Sequence, residues 1–227
     1  MSRTPWRVGG AQLRGRREVQ ADAFVVGGDR ATGRIAVAVT DGIGDTVAAV
    51  EAARLAAQES VTATLTATPE FGCMTARDRL AASENTADAS IVTALFDPDH
   101  SRIQIAWAGL CRAYLLTSDG QLQRATYDHS LGDRIREHTA RQGPLAPYDR
   151  MVTRTVAHHE FVTTSVPEHT TVAFLFCTDG ISAGVTDQTI TAALLCDDPD
   201  KGADLLTGEV GDHSPDNAAA VVLRRTS

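Results

Sequence analysis

Lysine is almost absent from this 227-residue chain: Lys201 stands alone among 21 basic residues, and the other 20 are arginine. Aromatic side chains make up only 5%, so aliphatic residues and alanine must fill most of any core. Cysteine is confined to Cys73, Cys111, Cys177 and Cys196, with no CxxC spacing. That excludes a zinc ribbon or a thioredoxin-type motif. Each cysteine sits in or beside an apolar segment, so buried reduced thiols are expected. No apolar run approaches bilayer length; residues 218–223 form one of the longest. Residues 1–10 carry Arg3 and Arg7 but no apolar stretch, so no secretory signal is expected and a cytoplasmic location follows. The net charge of −8 argues against a non-specific partner among nucleic acids or anionic membranes.

Aspartate is in surplus, with 20 Asp against 9 Glu. Asp favours turns and strand ends, and its short side chain chelates hard cations. The apolar runs at 23–26 and 34–40, joined by a turn-rich loop, predict a hairpin. Asp45 or Thr46 caps a following helix, with Val47, Val50, Arg54, Gln58 and Val61 along one row among alanines. A second helix is expected over 70–82. Strands at 90–96, 102–107 and 112–117 form an antiparallel meander. A helix over 131–142 precedes an irregular, proline-bearing segment, 143–169, read as a flap. The strand 171–177, helices over 189–195 and 203–210, and the strand 218–223 complete the chain. Strands and helices fall in separate runs, so the class is α+β, and one domain spanning 1–227 is expected.

One pattern occurs twice. Thr40-Asp41-Gly42-Ile43 and Thr178-Asp179-Gly180-Ile181 each end a very apolar strand, and no strand follows directly. Asp119-Gly120 differs, because it joins two strand-like runs as a tight hairpin would. Asp22 and Asp216 precede the strands at 23–26 and 218–223. Antiparallel pairing places the start of one strand beside the end of its neighbour. Asp22 should therefore meet Asp41, and the same logic brings Asp179 toward Asp216. Four carboxylates at one edge require protonation or a bridging cation. Oxygen-only ligands favour Mg2+ or Mn2+ over Ca2+ in a rigid site. Two such ions would activate water for hydrolysis.

Ordered blocks of residues then carry a resemblance. Arg17-Glu18-Val19-Gln20-Ala21-Asp22-Ala23-Phe24, Thr40-Asp41-Gly42-Ile43-Gly44, Gly109-Leu110-Cys111-Arg112-Ala113-Tyr114 and Asp128-His129-Ser130 come first. Val152-Thr153-Arg154, Thr178-Asp179-Gly180 and Asp216-Asn217 follow. Together they resemble the PP2C family of metal-dependent Ser/Thr protein phosphatases over nearly the whole length. The resemblance implies a four-layer α-β-β-α sandwich of two antiparallel sheets flanked by helices, with a two-metal Mn2+ or Mg2+ site at one end. By position, Asp41 bridges both metals, the Gly42 carbonyl binds the second, and Asp179 and Asp216 hold the first. Asp22 acts nearby through water, and Arg17 grips the substrate phosphate. Water activated by metal would attack phosphorus directly. The implied partner is a phosphorylated protein, a Ser/Thr kinase or its target, and the implied state is a monomer.

The departures are informative. Ala21 replaces an acid that orders metal-bound water, and Leu110 replaces an Asp that supports a third metal, so that site is expected to be lost. Asp45 replaces a glycine and is either an added ligand or a helix cap. Ile43 cannot act as a general acid. Among other candidates, His158-His159 reads as solvated flap rather than a zinc site, and His129 as a structural loop residue rather than part of a triad. Cys177 reads as a buried thiol, Arg112 and Arg154 as ion-pair or sheet-edge residues, and Trp6 and Trp107 as core or edge aromatics. Two rivals stand beside the phosphatase reading. One is a weakly active or inactive PP2C-like regulatory or binding domain. The other is an unrelated Asp-rich cation binder, which leaves the ordered blocks unexplained.

Overall fold

The computed structural model describes residues 5–158 and 160–226, so His159 lies outside the described residues. Ten strands form two five-stranded antiparallel sheets. Sheet one contains β1 (Trp6–Leu13), β10 (Ala218–Arg225), β9 (Thr171–Cys177), β6 (Arg112–Thr117) and β7 (Leu122–Arg124), in that spatial order. Sheet two contains β2 (Asp22–Gly28), β3 (Ile35–Gly42), β4 (Ala89–Phe96), β5 (Arg102–Ala108) and β8 (Val162–Pro167). The sheets face each other and bury the scarce aromatics between them. Trp6, Phe96 and Phe174 meet edge to face at centroid distances of 5.1–5.5 Å, and Trp107 joins the same core. Such geometry suits the aromatic quadrupole.

Helices cover the outer faces. On sheet two lie α1 (Val47–Thr64) and α2 (Pro69–Ala82); α5 (Asp187–Leu195) and α6 (Pro199–Val210) cover sheet one. The class is α+β and the layers run α-β-β-α, as expected. Central strands such as β4 are buried at every position because a sheet presses one face and a helix the other.

The buried stripe of α1 is built from Ala49, Ala52, Ala53, Ala56 and Ala57 with Ser60, Val61 and Thr64. The row picked out by sequence is mostly solvent-facing, with Val47 at 65% exposure. Small side chains let the helix lie close on the sheet, so alanine rather than valine marks the core face. Thr46, not Asp45, caps this helix and accepts the Ala49 N–H at 3.2 Å.

Five further differences concern whole elements or their ends. β1 was not anticipated. β8 falls inside the segment expected to be an irregular flap, which otherwise holds a 3-10 turn, Tyr148–Arg150. The short helix α4 (Asp179–Gly184) follows β9 directly, and α3 (Leu131–His138) stops before residue 142. Asp198 caps α6, which begins at Pro199 rather than at residue 203. Cys73, Cys111 and Cys177 are buried as expected, whereas Cys196 is partly exposed.

Candidate active site

The β2–β3 register sets Asp22 opposite Asp41, as the strand-end argument required. Asp179 leaves the end of β9 and Asp216 precedes β10, the neighbouring strand of the other sheet. The two carboxylate pairs therefore come from different sheets and meet where the sheet ends coincide. Arg17, Asp41, Gly42, Asp179 and Asp216 line one cleft of about 180 Å³, with Ser90, Leu110 and Arg150 on its walls. Asp22 lies behind this wall, buried, and accepts the Thr178 hydroxyl at 2.7 Å.

The repeated Asp-Gly has a steric cause. A Cβ on Gly42 would lie 2.3 Å from the Ala49 carbonyl oxygen, and one on Gly180 would lie 1.8 Å from that of Asn217. Backbone from α1 and from the start of β10 passes too close for any side chain. Gly120 meets nothing within 4 Å, which fits its hairpin role.

The electrostatics are those of crowded acids only partly offset by Arg17 and Arg150. Burial raises the Asp22 carboxyl to about 8, opposed by the Thr178 hydrogen bond and reinforced by the charges of Asp179 and Asp216. Burial, then the charges of Asp22, Asp179 and Asp216, drives Asp41 well above the usual carboxylate range. Asp179 is raised by burial and by Asp216.

Arg17 is placed by a clamped loop. Its Nε donates to the Pro215 carbonyl at 3.1 Å, and Nη2 lies 2.8 Å from Asp216 Oδ1. The Asn217 side chain accepts the Ala21 N–H and donates to the Arg14 and Val19 carbonyls. Asp45 accepts the N–H groups of Glu18 and Val19, both at 3.1 Å. Asp45 is thus neither a helix cap nor a cleft residue; it ties down the loop that carries Arg17. Ala21 is buried and brings no carboxyl, and Leu110 presents only hydrocarbon to the cleft.

Sequence reasoning missed Arg150. Its guanidinium contacts Asp216 and lies 3.8 Å from Asp179 Oδ2. It stands just before the Val152-Thr153-Arg154 block, but nothing local reveals where its side chain goes. Arg112 forms the expected ion pair, a two-point contact with Asp128 at 2.9 and 2.6 Å, which Arg124 joins at 2.5 Å. Arg154 has no ion pair among the described residues and donates to the Glu160 carbonyl at 3.4 Å. His158 is exposed, His129 is buried against Trp107, and burial pushes the Cys177 thiol up to about 12, too high for a nucleophile.

The donor chemistry fits a hard divalent cation: oxygen atoms only, on four acids that repel each other without one. The carboxylates surround the cleft rather than closing on a point. Among the described residues no three His, Cys, Asp or Glu side chains form a ready cage. No helix in the described residues is long and apolar enough to cross a membrane.

No protein-family model matches the chain, and no curated protein matches it by sequence. Solved structures do match in fold. The Mycobacterium tuberculosis serine/threonine phosphatase PstP/Ppp aligns at 22% identity and TM-score 0.80, covering 98% of this chain and 99% of that one. Staphylococcus aureus Stp1 aligns at 18% identity and TM-score 0.81, covering 97% and 95%. The catalytic domain of PstP in complex with two manganese ions aligns at 22% identity and TM-score 0.77, covering 98% and 99%. The sandwich, its strand order and these alignments give one result: the chain has the fold of the PP2C-family, or PPM-type, Ser/Thr phosphatases.

Proposed function

We propose that the chain is a metal-dependent phosphoprotein phosphatase acting on phosphoserine and phosphothreonine. The observation that carries this reading is the meeting of Asp41, Asp179 and Asp216 with Arg17 in one cleft, backed by the buried Asp22, on a fold shared with Ser/Thr phosphatases. Asp41 and Gly42 from sheet two, and Asp179 and Asp216 from sheet one, would hold two Mn2+ or Mg2+ ions, with Asp22 behind them. Manganese is the complement carried by the PstP catalytic domain. Bound there, the ions would lower the pKa of water and screen the phosphoryl charge. Arg17 orients the phosphate, and its planar fork suits two phosphate oxygens at once. Ile43, on the exposed rim, carries no transferable proton, so protonation of the departing alkoxide would fall to a bound water or to another residue. Leu110 cannot ligate, so no third ion is held on its side. The partner is a phosphorylated protein, a Ser/Thr kinase or its target, met by a monomer in the cytoplasm.

A second reading, a weakly active or inactive regulatory domain, is favoured by Leu110, Ala21 and the Arg150 contact with Asp216. One experiment separates them. Metal-stripped protein is assayed on p-nitrophenyl phosphate and a phosphopeptide, with and without millimolar Mn2+. The phosphatase reading expects Mn2+-dependent turnover that is lost in Asp41→Asn and Asp179→Asn. Turnover no higher than that of the double variant would leave the regulatory reading.

A further inference from the structure

Arg150 ends the short turn Tyr148–Arg150, and its side chain reaches across to two aspartates that belong to the other wall of the cleft. The partners differ in freedom. The Asp179 and Asp216 side chains are each 16% exposed and rooted at strand ends, whereas the Arg150 side chain is 56% exposed. Apart from these aspartates, the Arg150 guanidinium has no hydrogen-bond partner among the described residues. The carboxylates are therefore the fixed party and the arginine the movable one.

Arg150 also occupies a boundary. It lines the 180 Å³ cleft, and it lines an adjoining groove of about 390 Å³ whose walls include Arg112, Arg136 and Ser182. Leu110 and Asp179 are the other residues common to both.

Resting on the cation site proposed above, we propose that Arg150 is a tethered counter-cation that a divalent ion must displace from Asp179 and Asp216. A guanidinium and a divalent ion placed on the same carboxylate oxygens repel each other, so the two compete for them. In the metal-free protein Arg150 offsets part of the acid cluster's repulsion. When a divalent ion takes those oxygens, Arg150 is repelled and withdraws toward solvent. Its withdrawal removes one of the three residues that separate cleft and groove and opens the cleft toward the groove. Metal binding thereby precedes and enables substrate seating.

The test uses the full chain, stripped of metal, titrated calorimetrically with Mn2+ alone. Arg150→Gln is expected to bind Mn2+ about three- to tenfold more tightly than wild type, since a half-exposed ion pair is a weak competitor. Arg150→Lys, which keeps the charge, is expected to stay near wild type. Hydrogen exchange of the 144–151 segment in the wild-type chain supplies a measurement independent of any variant, and Mn2+ should accelerate it. Equal Mn2+ affinity in Arg150→Gln and wild type, or unchanged exchange on Mn2+ addition, overturns the inference, as does absence of Mn2+ binding altogether. Arg150-dependent Mn2+ binding without any phosphatase turnover supports it while overturning the hydrolytic reading.

Discussion

Asp45 accepts the backbone N–H of Val19 at 3.1 Å, linking the entrance of α1 to a loop 26 residues earlier. The same carboxylate accepts the Glu18 N–H, and both bonds hold it in its charged form, below the usual carboxylate range. Because Arg17 directly precedes these two residues, Asp45 anchors the backbone from which its guanidinium reaches Pro215 and Asp216. Asp45→Ala should raise KM for p-nitrophenyl phosphate about two- to tenfold with little change in Tm, since a small misplacement of a binding group is costly. Faster hydrogen exchange confined to residues 14–20 is the accompanying signature. Unchanged KM and exchange would show that the loop holds its shape without Asp45.

The acid cluster makes metal binding a proton-releasing event. Asp22, raised to about 8, is protonated in the folded metal-free chain at neutral pH and ionised in the unfolded chain, where its value is 3.8. The folded state therefore binds more protons between about pH 4 and pH 8, and this group's contribution to stability falls as pH rises through that window. Mn2+ should expel those protons. Calorimetric Mn2+ binding at pH 7 should then vary with the ionisation enthalpy of the buffer, and Tm should rise on Mn2+ addition. Identical binding heats in phosphate-free buffers of high and low ionisation enthalpy would contradict this account.

His129 works in the opposite direction. Its Nδ1 accepts the Gly109 N–H at 3.1 Å, its Nε2 is buried without a partner among the described residues, and its ring stacks on Trp107. Burial lowers its pKa from 6.5 to about 4. The unfolded chain binds the proton first as pH falls, so stability present above about pH 6.5 is lost progressively toward pH 4. The loss is on the order of 2–3 kcal/mol. Urea melts across this range should show it, and His129→Gln should flatten the profile. Because Asp22 opposes this trend in the same window, the difference between the two profiles is the readout, and a His129→Gln profile parallel to that of wild type between pH 4 and 6.5 would refute the assignment.

Gly180→Ala tests the close approach behind Asp179. The added methyl would collide with the Asn217 carbonyl, next to Asp216. Backbone displacement of this kind costs about 1–3 kcal/mol. Mn2+ affinity should fall with it, because Asp216 moves. Gly120→Ala is the control: its φ of +84° makes it strained, costing about 1–2 kcal/mol, yet Mn2+ affinity should be unaffected. Equal loss of affinity in both would assign the effect to stability alone.

Asp128 joins two arginines beneath the groove, Arg112 and Arg124. Asp128→Ala leaves the Arg112 guanidinium, about a fifth exposed, with only the Tyr114 hydroxyl. An uncompensated, mostly buried charge of this kind costs about 2–4 kcal/mol. Urea denaturation should read that loss, and a cost below about 1 kcal/mol would show that water already neutralises the pair.

Much of this fold is legible in the chain because its central strands are unbroken apolar runs closed by turn residues. Strands β3, β4 and β9 need no partner to be recognised. β1 escapes notice because Gly9 and Gly10 interrupt its pattern, and β8, at a sheet edge, is rich in Thr and Ser with a terminal proline. The core face of α1 is not evident in the sequence because alanine carries little hydrophobic contrast, and close packing on a sheet selects for size rather than greasiness.

Sequence alone determined that four aspartates stand at strand ends, since the alternation of apolar run and Asp-Gly or Asp-Asn is a local property of the chain. Hairpin geometry then made the Asp22–Asp41 pair a necessity. Tertiary structure alone decided that this pair faces Asp179 and Asp216, because the two pairs belong to different sheets held together by non-directional burial of Trp6, Phe96, Phe174 and their neighbours. It also decided the roles of Asp45 and Arg150. Their partners lie 26 to 66 residues away, and a charged side chain on an irregular segment carries no periodic mark of where it will reach.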